Sequence, residues 1–316
     1  MIAPADARSP HIVARLAIVG LGLIGSSIAR VARERDLARE IVGFDTDSAV
    51  RERARELGFA DSIVDQAQEA ARDADLVILC APVGAMAEAA EAIAPALKPG
   101  AIVSDVGSVK TAVLSALSAR LPPHVHIVPA HPVAGTEHSG PDAGFASLFS
   151  GRWCILTPPE GASADAVATL KRFWSQAGSN VEIMSAAHHD LVLATTSHVP
   201  HLIAYNIVGT AADLEEVTRS EVIKFSAGGF RDFTRIAASD PTMWRDVFLN
   251  NRDAVLEVLG RFNEDLAALQ RMIRWGDGQG LFDLFTRTRA IRRGIIDEGQ
   301  DALEANPATA PKAGES

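Results

Sequence analysis

A glycine pattern directly after a short apolar run is the feature that most restricts what this chain can fold into. Residues 16–19, LAIV, are followed at once by GLGLIG, with Gly20, Gly22 and Gly25 in the spacing G-x-G-x-x-G. Between a strand and a helix, the first glycine permits a tight turn, the second lets backbone approach a pyrophosphate, and the third allows close helix packing. The stretch therefore predicts a dinucleotide site at the N-terminus of a helix.

An acidic residue follows the next apolar run at the distance that such a site requires. Residues 40–44 are interpreted as a second strand, and Asp45 stands 20 residues beyond Gly25. A carboxylate at this place binds a ribose 2′-hydroxyl and repels a 2′-phosphate, so we expect NAD as the cofactor, with NADP less favoured. A solvated turn residue is the alternative interpretation of Asp45. The predicted cofactor-binding residues are Gly20, Gly22, Leu23, Ile24, Gly25 and Asp45.

The hydrophobic pattern changes about halfway along the chain. Over residues 15–185, short apolar runs alternate with helical segments, which predicts a mostly parallel sheet covered on both faces. Residues 186–305 have few strand signals and begin with a long apolar helix over 186–214. The predicted fold class is α/β, with an N-terminal Rossmann-type dinucleotide-binding domain and a C-terminal all-helical domain. Residues 1–14 are expected to form an extension and residues 306–316 a disordered tail.

Charge and composition disfavour several classes of partner. The net charge of −10 and the pI near 5.4 argue against nucleic acid and anionic membranes, and an anionic small molecule would need local cations. Cys80 and Cys154 lie in apolar runs, which is typical of buried reduced thiols. The N-terminus has no apolar export segment, and polar groups or glycine interrupt every stretch long enough to span a membrane. We therefore expect a cytoplasmic globular protein.

Two candidate catalytic residues follow predicted strands that end at the same edge of the sheet. Residues 101–106 lead to Ser108, and residues 126–130 lead to His131. Because ligands bind beyond the carboxyl ends of parallel strands, these side chains are expected to meet beside a nicotinamide. A neutral imidazole can accept the proton of an alcohol while hydride leaves the same carbon, and Ser108 can orient the ring or the substrate hydroxyl. Alternatively, Ser108 caps a helix and His131 is an ordinary loop histidine.

The first helix after residue 185 carries a second polar group. Ser197, His198 and His201 lie in SHVPH, where the two histidines share a helix face and the proline between them is expected to kink the helix. Such a kink would expose both histidines to a cleft. No pair of histidines has the carboxylate and spacing of a zinc-binding helix, so no metal is predicted. His188 and His189 are interpreted as surface residues near the helix start.

A cationic group is predicted after the glycine pair at residues 228–229. Arg231 and Arg235 lie at i and i+4, so one helix face could carry two guanidinium groups, which bind carboxylates through parallel hydrogen bonds. Asp232 is expected to hold the guanidinium of Arg235 in place, and Trp244 follows nearby. The alternative is a solvated face, which is the usual state of charged helix residues.

Five ordered motifs together resemble one known enzyme family. They are GLGLIGSS, DVGSVK, HPVAGTEHSG, SHVPH and FRDFTRIAASDPTMW, and they are similar to motifs of the prephenate/arogenate (cyclohexadienyl) dehydrogenases of tyrosine biosynthesis over about residues 15–298. The resemblance implies NAD(P)-linked oxidation of the ring alcohol of prephenate or arogenate, with loss of the ring carboxylate as CO₂. It also implies a homodimer that interlocks through the helical domains.

By position, the resemblance implies roles for single residues. His131 is the implied catalytic hydrogen-bond acceptor, and Ser108 is its implied partner at the substrate hydroxyl. Glu137 and Asp232 are implied members of an ionic network around Arg235. The implied substrate contacts are Thr136, Glu137, Ser197, His198, His201, Arg231, Asp232, Arg235 and Trp244.

Two other functions compete with this interpretation. A β-hydroxyacid dehydrogenase has a similar two-domain plan but a catalytic lysine on the interdomain helix, and no lysine occurs between Lys171 and Lys224. A non-catalytic NAD-binding regulator would not need the predicted catalytic pair. Prephenate and arogenate remain open as substrates; dual use is the hypothesis, with Glu137 as a candidate discriminator. The short flanks of the matched region are expected to hold neither a fused mutase nor a regulatory domain.

Overall fold

The N-terminal part of the chain forms a six-stranded parallel sheet. The computed structural model describes residues 11–136, 138–218 and 227–297. The strands of this sheet are β1 (Val13–Val19), β2 (Ala38–Phe44), β3 (Ser62–Ile63), β4 (Leu76–Leu79), β5 (Ile102–Asp105) and β6 (His126–Ile127). Their order is β3-β2-β1-β4-β5-β6, and every neighbouring pair is parallel. The strand order therefore reverses between β1 and β4, where open sheets of this kind bind ligands.

Both faces of this sheet are covered because successive side chains of each strand point to opposite sides. In β1, Leu16 and Ile18 pack in one buried cluster, while Ala17 and Val19 pack in another. The helices of this part are α1 (Leu23–Glu34), α2 (Ser48–Leu57), α3 (Ala67–Ala71), α4 (Met86–Ile93), α5 (Thr111–Ser118) and α6 (Ala164–Gln176). The predicted crossover arrangement of strands and helices is confirmed.

Three later strands form a separate small sheet, which the sequence did not indicate. They are β7 (Ala130–Pro132), β8 (Trp153–Leu156) and β9 (Asn180–Ile183), with β7 antiparallel to β8 and β9 parallel to it. The strand predicted over residues 126–130 divides at Pro129, which has no N–H to donate to a ladder. The Val128 N–H still donates to Val103 of the first sheet, whereas the Pro129 carbonyl accepts the Thr157 N–H beside the second.

All described elements after residue 185 are helical, so the predicted fold class is confirmed. These helices are α7 (Ala186–Leu193), α8 (Val199–Thr218), α9 (Gly228–Thr234), α10 (Pro241–Asn250), α11 (Arg252–Trp275) and α12 (Gly278–Asp297). A 3₁₀ turn, Arg235–Ala238, follows α9 directly.

A π-helical turn, Ala194–His198, joins α7 to α8. The sequence predicts a kink at Pro200, and the structure has this wider turn directly before it, where the proline lacks an N–H and its ring crowds the preceding turn. The predicted exposure of both histidines in SHVPH is wrong: His198 is fully buried and His201 is half-buried. Widened turns of this kind often occur at functional sites.

By length and hydropathy alone, the stretch Ala186–Leu214 would suffice to cross a membrane, and it is the one such stretch in the described residues. It nevertheless carries buried polar side chains that bind to other elements. Asp190 accepts hydrogen bonds from the start of α5, and His198 contacts Asn251. These contacts join the first part of the stretch to the parallel-sheet part of the chain.

The chain divides into two compact units that meet between Val258 and Leu259, inside α11. The boundary predicted after residue 185 lies at the change from strands to helices and stays a prediction. Hydrogen bonds tie elements on either side of residue 185 together; one of them joins the Lys110 N–H to Asp190 Oδ1 at 2.7 Å. For this reason residues 186–258 group with the sheet.

Candidate active site

The glycine loop after β1 has the geometry that a dinucleotide needs. Gly20 has a φ of 100°, and a Cβ there would lie 2.5 Å from the Cys80 carbonyl oxygen at the end of β4. A Cβ on Gly25 would lie 1.9 Å from the Gly20 carbonyl oxygen, so that helix and strand could not approach as closely. A Cβ on Gly22 would meet no described atom within 4 Å. The first and third glycines are thus required by the fold, and the second borders open space.

The N-terminus of α1 begins at this open space. Leu23 and Ile24 form its first turn, Gly22 is its N-cap without a side-chain hydrogen bond, and the first turn has no acidic residue. Backbone N–H groups in the first turn of a helix lack intrahelical partners and carry partial positive charge. The residues therefore fit the pyrophosphate of a dinucleotide, in the place that the sequence predicts.

Asp45 stands at the end of β2 and shapes the same loop. Its Oδ2 accepts the Leu21 N–H at 2.7 Å, and its Oδ1 accepts the Asp47 N–H at 3.0 Å. The alternative turn interpretation is therefore partly right, because the carboxylate organises a turn. Each carboxylate oxygen has more than one lone pair, so Asp45 keeps the capacity to accept a ribose hydroxyl beside the glycine loop.

His131 lies in strand β7, paired with Ile155 of β8, rather than in a loop after a strand. Its side chain is buried with 7% exposure. Its Nδ1 lies 2.8 Å from His189 Nε2. Burial, and next the nearby His189 and Lys110, hold the pKa of His131 well below its usual range, so the ring is neutral at pH 7.

The partner of His131 was missed by the sequence analysis. His189 was interpreted as a surface residue, but it is fully buried, and its Nδ1 lies 2.9 Å from Asp190 Oδ1. His188, one residue earlier, is exposed. The spacing along the helix could have indicated that His189 is buried. His189 shares a helix face with the apolar Leu193 four residues later, and Leu193 is buried.

Asp190 connects this helix to the start of α5. Its Oδ1 accepts the Lys110 N–H at 2.7 Å and its Oδ2 accepts the Thr111 N–H at 2.9 Å. Burial alone would raise the pKa of Asp190, but hydrogen bonds from His189 and Thr111 lower it below its usual value. The carboxylate is therefore ionised at neutral pH and is held from three sides.

A buried ion pair lies next to these residues and was also missed. Lys110 Nζ donates to Asp105 Oδ2, and both side chains are fully buried. Lys110 Nζ also donates to the Ala130 carbonyl at 2.7 Å, directly before His131. Burial lowers the pKa of Lys110, while Asp105 opposes that shift. This pair fixes the end of β5 to β7.

Ser108 is half-buried in the connection between β5 and α5. The predicted orientation of His131 by Ser108 is not what the structure has, because Nδ1 of the ring contacts His189 instead. Ser108 does not cap the helix either: α5 begins at Thr111 without a side-chain cap at its N-cap residue, and Asp190 accepts the N–H groups there. Its hydroxyl has no hydrogen-bond partner among the described residues, which leaves it able to contact a ligand.

His198 of the π-helical turn, His201 of α8 and Trp244 of α10 form one group. The ring of His201 stacks on Trp244 with centroids 3.7 Å apart, and His198 meets the edge of Trp244 at 6.1 Å. Asn251 Nδ2 donates to His198 Nδ1 at 3.0 Å, so the proton of the neutral ring is on Nε2. Burial lowers the pKa of His198 to about 4.

Two buried N–H groups in this cluster lack an acceptor. His198 Nε2 and Trp244 Nε1 have no hydrogen-bond partner among the described residues. Leaving such groups unpaired costs about 1–3 kcal/mol each, and native proteins rarely tolerate it without a reason. Acceptor oxygens of a bound acid could satisfy both.

Arg231 lies in α9, and Arg235 is its C-cap residue and begins the 3₁₀ turn that follows. That the two guanidinium groups share one face stays a prediction. Both side chains and that of Asp232 are exposed. No ion pair joins Asp232 to Arg235 in the part of the chain that the structure describes. Burial, opposed by the Ser197 carbonyl and assisted by Arg235, lowers the pKa of His201.

The remaining predicted contacts lie in two places. Thr136 is half-buried, and its hydroxyl accepts the His138 N–H at 3.2 Å. Ser197 is half-buried in the π-helical turn, where its carbonyl accepts a hydrogen bond from His201 Nδ1 at 2.9 Å. Glu137 lies outside the described residues. Within those residues, no group of three or more His, Cys, Asp or Glu side chains could hold a metal ion.

Together, a glycine loop at the switch point of a parallel sheet and a buried neutral histidine define a dinucleotide-dependent oxidoreductase. Family models agree: the model of the prephenate dehydrogenase nucleotide-binding domain matches residues 28–183, and that of the prephenate dehydrogenase dimerization domain matches residues 185–287. The chain belongs to the prephenate dehydrogenase family.

Relatives support the same assignment. A cyclohexadienyl dehydrogenase of Zymomonas mobilis is 47% identical over 88% of this chain and 94% of its own length. The crystal structure of prephenate dehydrogenase from A. aeolicus, in complex with hydroxyphenyl propionate and NAD+, is 33% identical with a TM-score of 0.84, covering 89% of this chain and 98% of that one. The Synechocystis arogenate dehydrogenase is 27% identical with a TM-score of 0.77, covering 89% and 99%.

Proposed function

We propose that this protein catalyses the NAD-linked oxidative decarboxylation of prephenate, arogenate or both, as a step of tyrosine biosynthesis. The observation that carries the proposal is the buried imidazole of His131, which is neutral at pH 7 and has one ring nitrogen engaged by His189. Such a ring can accept a hydrogen bond from the ring alcohol of the substrate as hydride leaves the same carbon. Loss of CO₂ then yields the aromatic ring.

In this mechanism, the chain mainly binds and orients the substrate. Bound NAD supplies the hydride acceptor. The open backbone at Gly22 and the first turn of α1 fit its pyrophosphate. His131 accepts the hydrogen bond of the substrate hydroxyl, and the Ser108 hydroxyl assists in orienting that group. Because aromatisation makes the reaction effectively irreversible, few further catalytic groups are needed.

The acid groups of the substrate are proposed to bind on the helical side of the site. The N–H groups of His198 and Trp244 are buried without acceptors. Arg235 is exposed and close enough to His201 to affect its pKa. A guanidinium binds a carboxylate through parallel hydrogen bonds. Thr136, Ser197, Glu137, Arg231 and Asp232 complete the proposed contacts.

The main test is NADH formation with each acid by the native protein and by a variant. We expect turnover with prephenate, and His131→Asn is expected to lower kcat about 10²- to 10⁴-fold without changing NAD affinity. The exposed His188→Asn variant is the matched control and should keep full activity. NAD binding without turnover of either acid would instead indicate a non-catalytic regulator.

Use of both acids is the finer part of the proposal. It is supported by similarity to a cyclohexadienyl dehydrogenase and to an arogenate dehydrogenase, since both acids are cyclohexadienes. The side chain of prephenate carries a keto group where that of arogenate carries an ammonium. Glu137 is the residue proposed to distinguish the two acids. Comparing kcat/KM for the two acids is decisive, and a strict preference for prephenate contradicts dual use.

NAD is proposed over NADP because a 2′-phosphate would meet the negative charge of Asp45 beside the glycine loop. Turnover with NADP is therefore expected to be slower. Equal kcat/KM for the two cofactors would show that Asp45 does not discriminate.

A homodimer that assembles through the helical part is proposed for the native protein. The family model that matches residues 185–287 is that of a dimerization domain. Helices α11 and α12 expose large apolar side chains, which would be costly in water without a partner. Examples are Leu266, Ile273, Trp275, Phe282 and Phe285. Light scattering at micromolar concentration should give twice the chain mass.

The state of the two cysteines favours a reducing compartment as the location of the protein. Cys80 and Cys154 are both free, and burial raises the pKa of each thiol, which disfavours the reactive thiolate. A cytoplasmic location is the corresponding proposal, because free thiols persist there.

A further inference from the structure

His131 is the first of three buried polar side chains that contact one another in series. The series begins at His131 Nδ1 and leaves the other ring nitrogen, Nε2, without a contact to it. His131 contacts His189, His189 contacts Asp190, and all three side chains are buried. We propose that His189 and Asp190 are positioning residues that fix His131 as its Nδ1–H tautomer, so that Nε2 always presents a lone pair to the substrate hydroxyl. This inference rests on the proposed function only in that His131 is taken as the hydrogen-bond acceptor.

The direction of each hydrogen bond follows from the acid at the end of the series. An ionised carboxylate can only accept, so His189 Nδ1, which lies 2.9 Å from Asp190 Oδ1, carries a hydrogen. A neutral imidazole has one donor and one acceptor, and His189 Nε2 must therefore accept. The nitrogen 2.8 Å away, His131 Nδ1, is then the donor. In a neutral ring this leaves the lone pair on His131 Nε2.

The proposal requires neutral rings of His131 and His189 and an ionised Asp190, and the surroundings of these side chains favour those states. Burial is the main cause that lowers the pKa of both His131 and His189, so both rings are neutral at pH 7. The hydrogen bonds from His189 and the two N–H groups at the start of α5 lower the pKa of Asp190 and keep it ionised.

Other ionisable groups that face these rings are already occupied. Lys110 from the start of α5 donates to Asp105 of β5 and to the Ala130 carbonyl. His198 of the π-helical turn accepts from Asn251. None of them makes a described hydrogen bond to His131, so His189 is the one described side chain that sets the tautomer.

The end of the series is itself held rigidly. Both Asp190 oxygens accept backbone N–H groups, from Lys110 and from Thr111. The Asp190 carbonyl accepts a hydrogen bond from Asn251 Nδ2 at 2.9 Å. Orientation is therefore transmitted from the backbone at the start of α5, through two side chains, to the acceptor nitrogen of His131.

The proposed consequence is specific to catalysis. In the opposite tautomer, His131 would present an N–H to the substrate hydroxyl and could not accept its hydrogen bond in the transition state. The acid groups of the substrate are proposed to bind elsewhere, through Arg235 and the group formed by His198, His201 and Trp244. Loss of the contact between His189 and His131 should therefore lower kcat and leave KM nearly unchanged.

The first test compares two substitutions at one position. His189→Leu removes the acceptor, whereas the amide oxygen of His189→Gln can still accept from His131 Nδ1. We expect kcat to fall about 10²- to 10⁴-fold in His189→Leu, with KM for the acid and for NAD changed by less than about threefold. His189→Gln should recover at least about tenfold of the lost rate. His188→Leu, exposed on the same helix, should match the native protein.

The second test needs no turnover. In protein labelled with ¹⁵N-histidine and free of substrate, two-bond ¹H–¹⁵N spectra report which ring nitrogen carries the hydrogen, and His131→Asn identifies the signals. The native protein should have His131 protonated on Nδ1, and His189→Leu should add the Nε2–H form. An Nε2–H form in the native protein, or equal rate losses in the Leu and Gln variants with an unchanged His131 spectrum, overturns the inference.

These outcomes separate the two proposals. If the native protein turns over neither acid, the proposed function is wrong, while the ¹⁵N spectrum still decides the tautomer. If the native protein is active and His189→Leu keeps the native kcat, the proposed function stands and the positioning role of His189 is refuted.

Discussion

Arg235 is exposed at the start of a 3₁₀ turn, where no described carboxylate neutralises it. A charge-assisted hydrogen bond from such a group contributes about 1.5–3 kcal/mol. Arg235→Met is therefore expected to raise KM for the acid about tenfold to a hundredfold. The affinity for NAD should stay at the native value, because Arg235 is proposed to bind the acid and not the cofactor.

Arg245→Gln is the matched control for Arg235→Met. Arg245 is an exposed arginine of α10 that pairs with its neighbour Asp246. It should leave both Michaelis constants unchanged, since exposed pairs contribute little. A steady-state comparison of the two variants is the measurement. Similar KM values in both would remove Arg235 from the proposed binding site.

At the scale of elements, the turn between β1 and α1 contains one glycine that the packing requires, Gly25, and one that borders open space, Gly22. Gly25→Ala would place a methyl group 1.9 Å from the Gly20 carbonyl, so we expect a loss of about 1–3 kcal/mol or more in the free energy of unfolding. Gly22→Ala meets open space and should cost less than about 1 kcal/mol.

The same pair of variants tests where the cofactor lies. If the pyrophosphate approaches the backbone at Gly22, the well-folded Gly22→Ala variant should bind NAD much more weakly than the native protein does. Calorimetric titration with NAD and chemical denaturation together give both quantities. Unimpaired NAD binding by Gly22→Ala would mean that the pyrophosphate is not held at this turn.

At the scale of the whole molecule, the buried neutral histidines make stability depend on pH. Burial holds the pKa of His131, His189 and His198 below 6.5 in the folded state, whereas these residues titrate near that value when unfolded. Below about pH 6.5 the unfolded chain therefore binds more protons than the folded one, and stability is lost as pH falls. For His198 the loss continues to about pH 4.

The measurement is the free energy of unfolding between pH 7.5 and 4.5. His198 alone should account for up to about 3 kcal/mol across its window, and His198→Asn should flatten the profile. The exposed His188→Asn variant should not. The carboxylates with lowered pKa, such as Asp190, lose their contribution only at lower pH. A native profile without slope in this range would contradict the neutral state of the buried rings.

Much of the fold follows from sequence because its signals are local. Glycine spacing is dictated by contacts within one turn, as at Gly20 and Gly25, and the apolar alternation in β1 is dictated by strand geometry. The identity of His131 as a site residue was also inferred from its place in the chain. The motifs of the C-terminal half, in contrast, depend on how separate elements meet.

What the sequence by itself determined is therefore the class of fold, the glycine loop and the family, since each rests on short-range patterns or ordered motifs. Only the tertiary structure decided that His189, not Ser108, contacts His131, and that Lys110 and Asp105 form a buried ion pair. The physical reason is distance along the chain. His131 and His189 are 58 residues apart, and only packing of α7 against β7 and α5 removes both from water and makes each the other's partner.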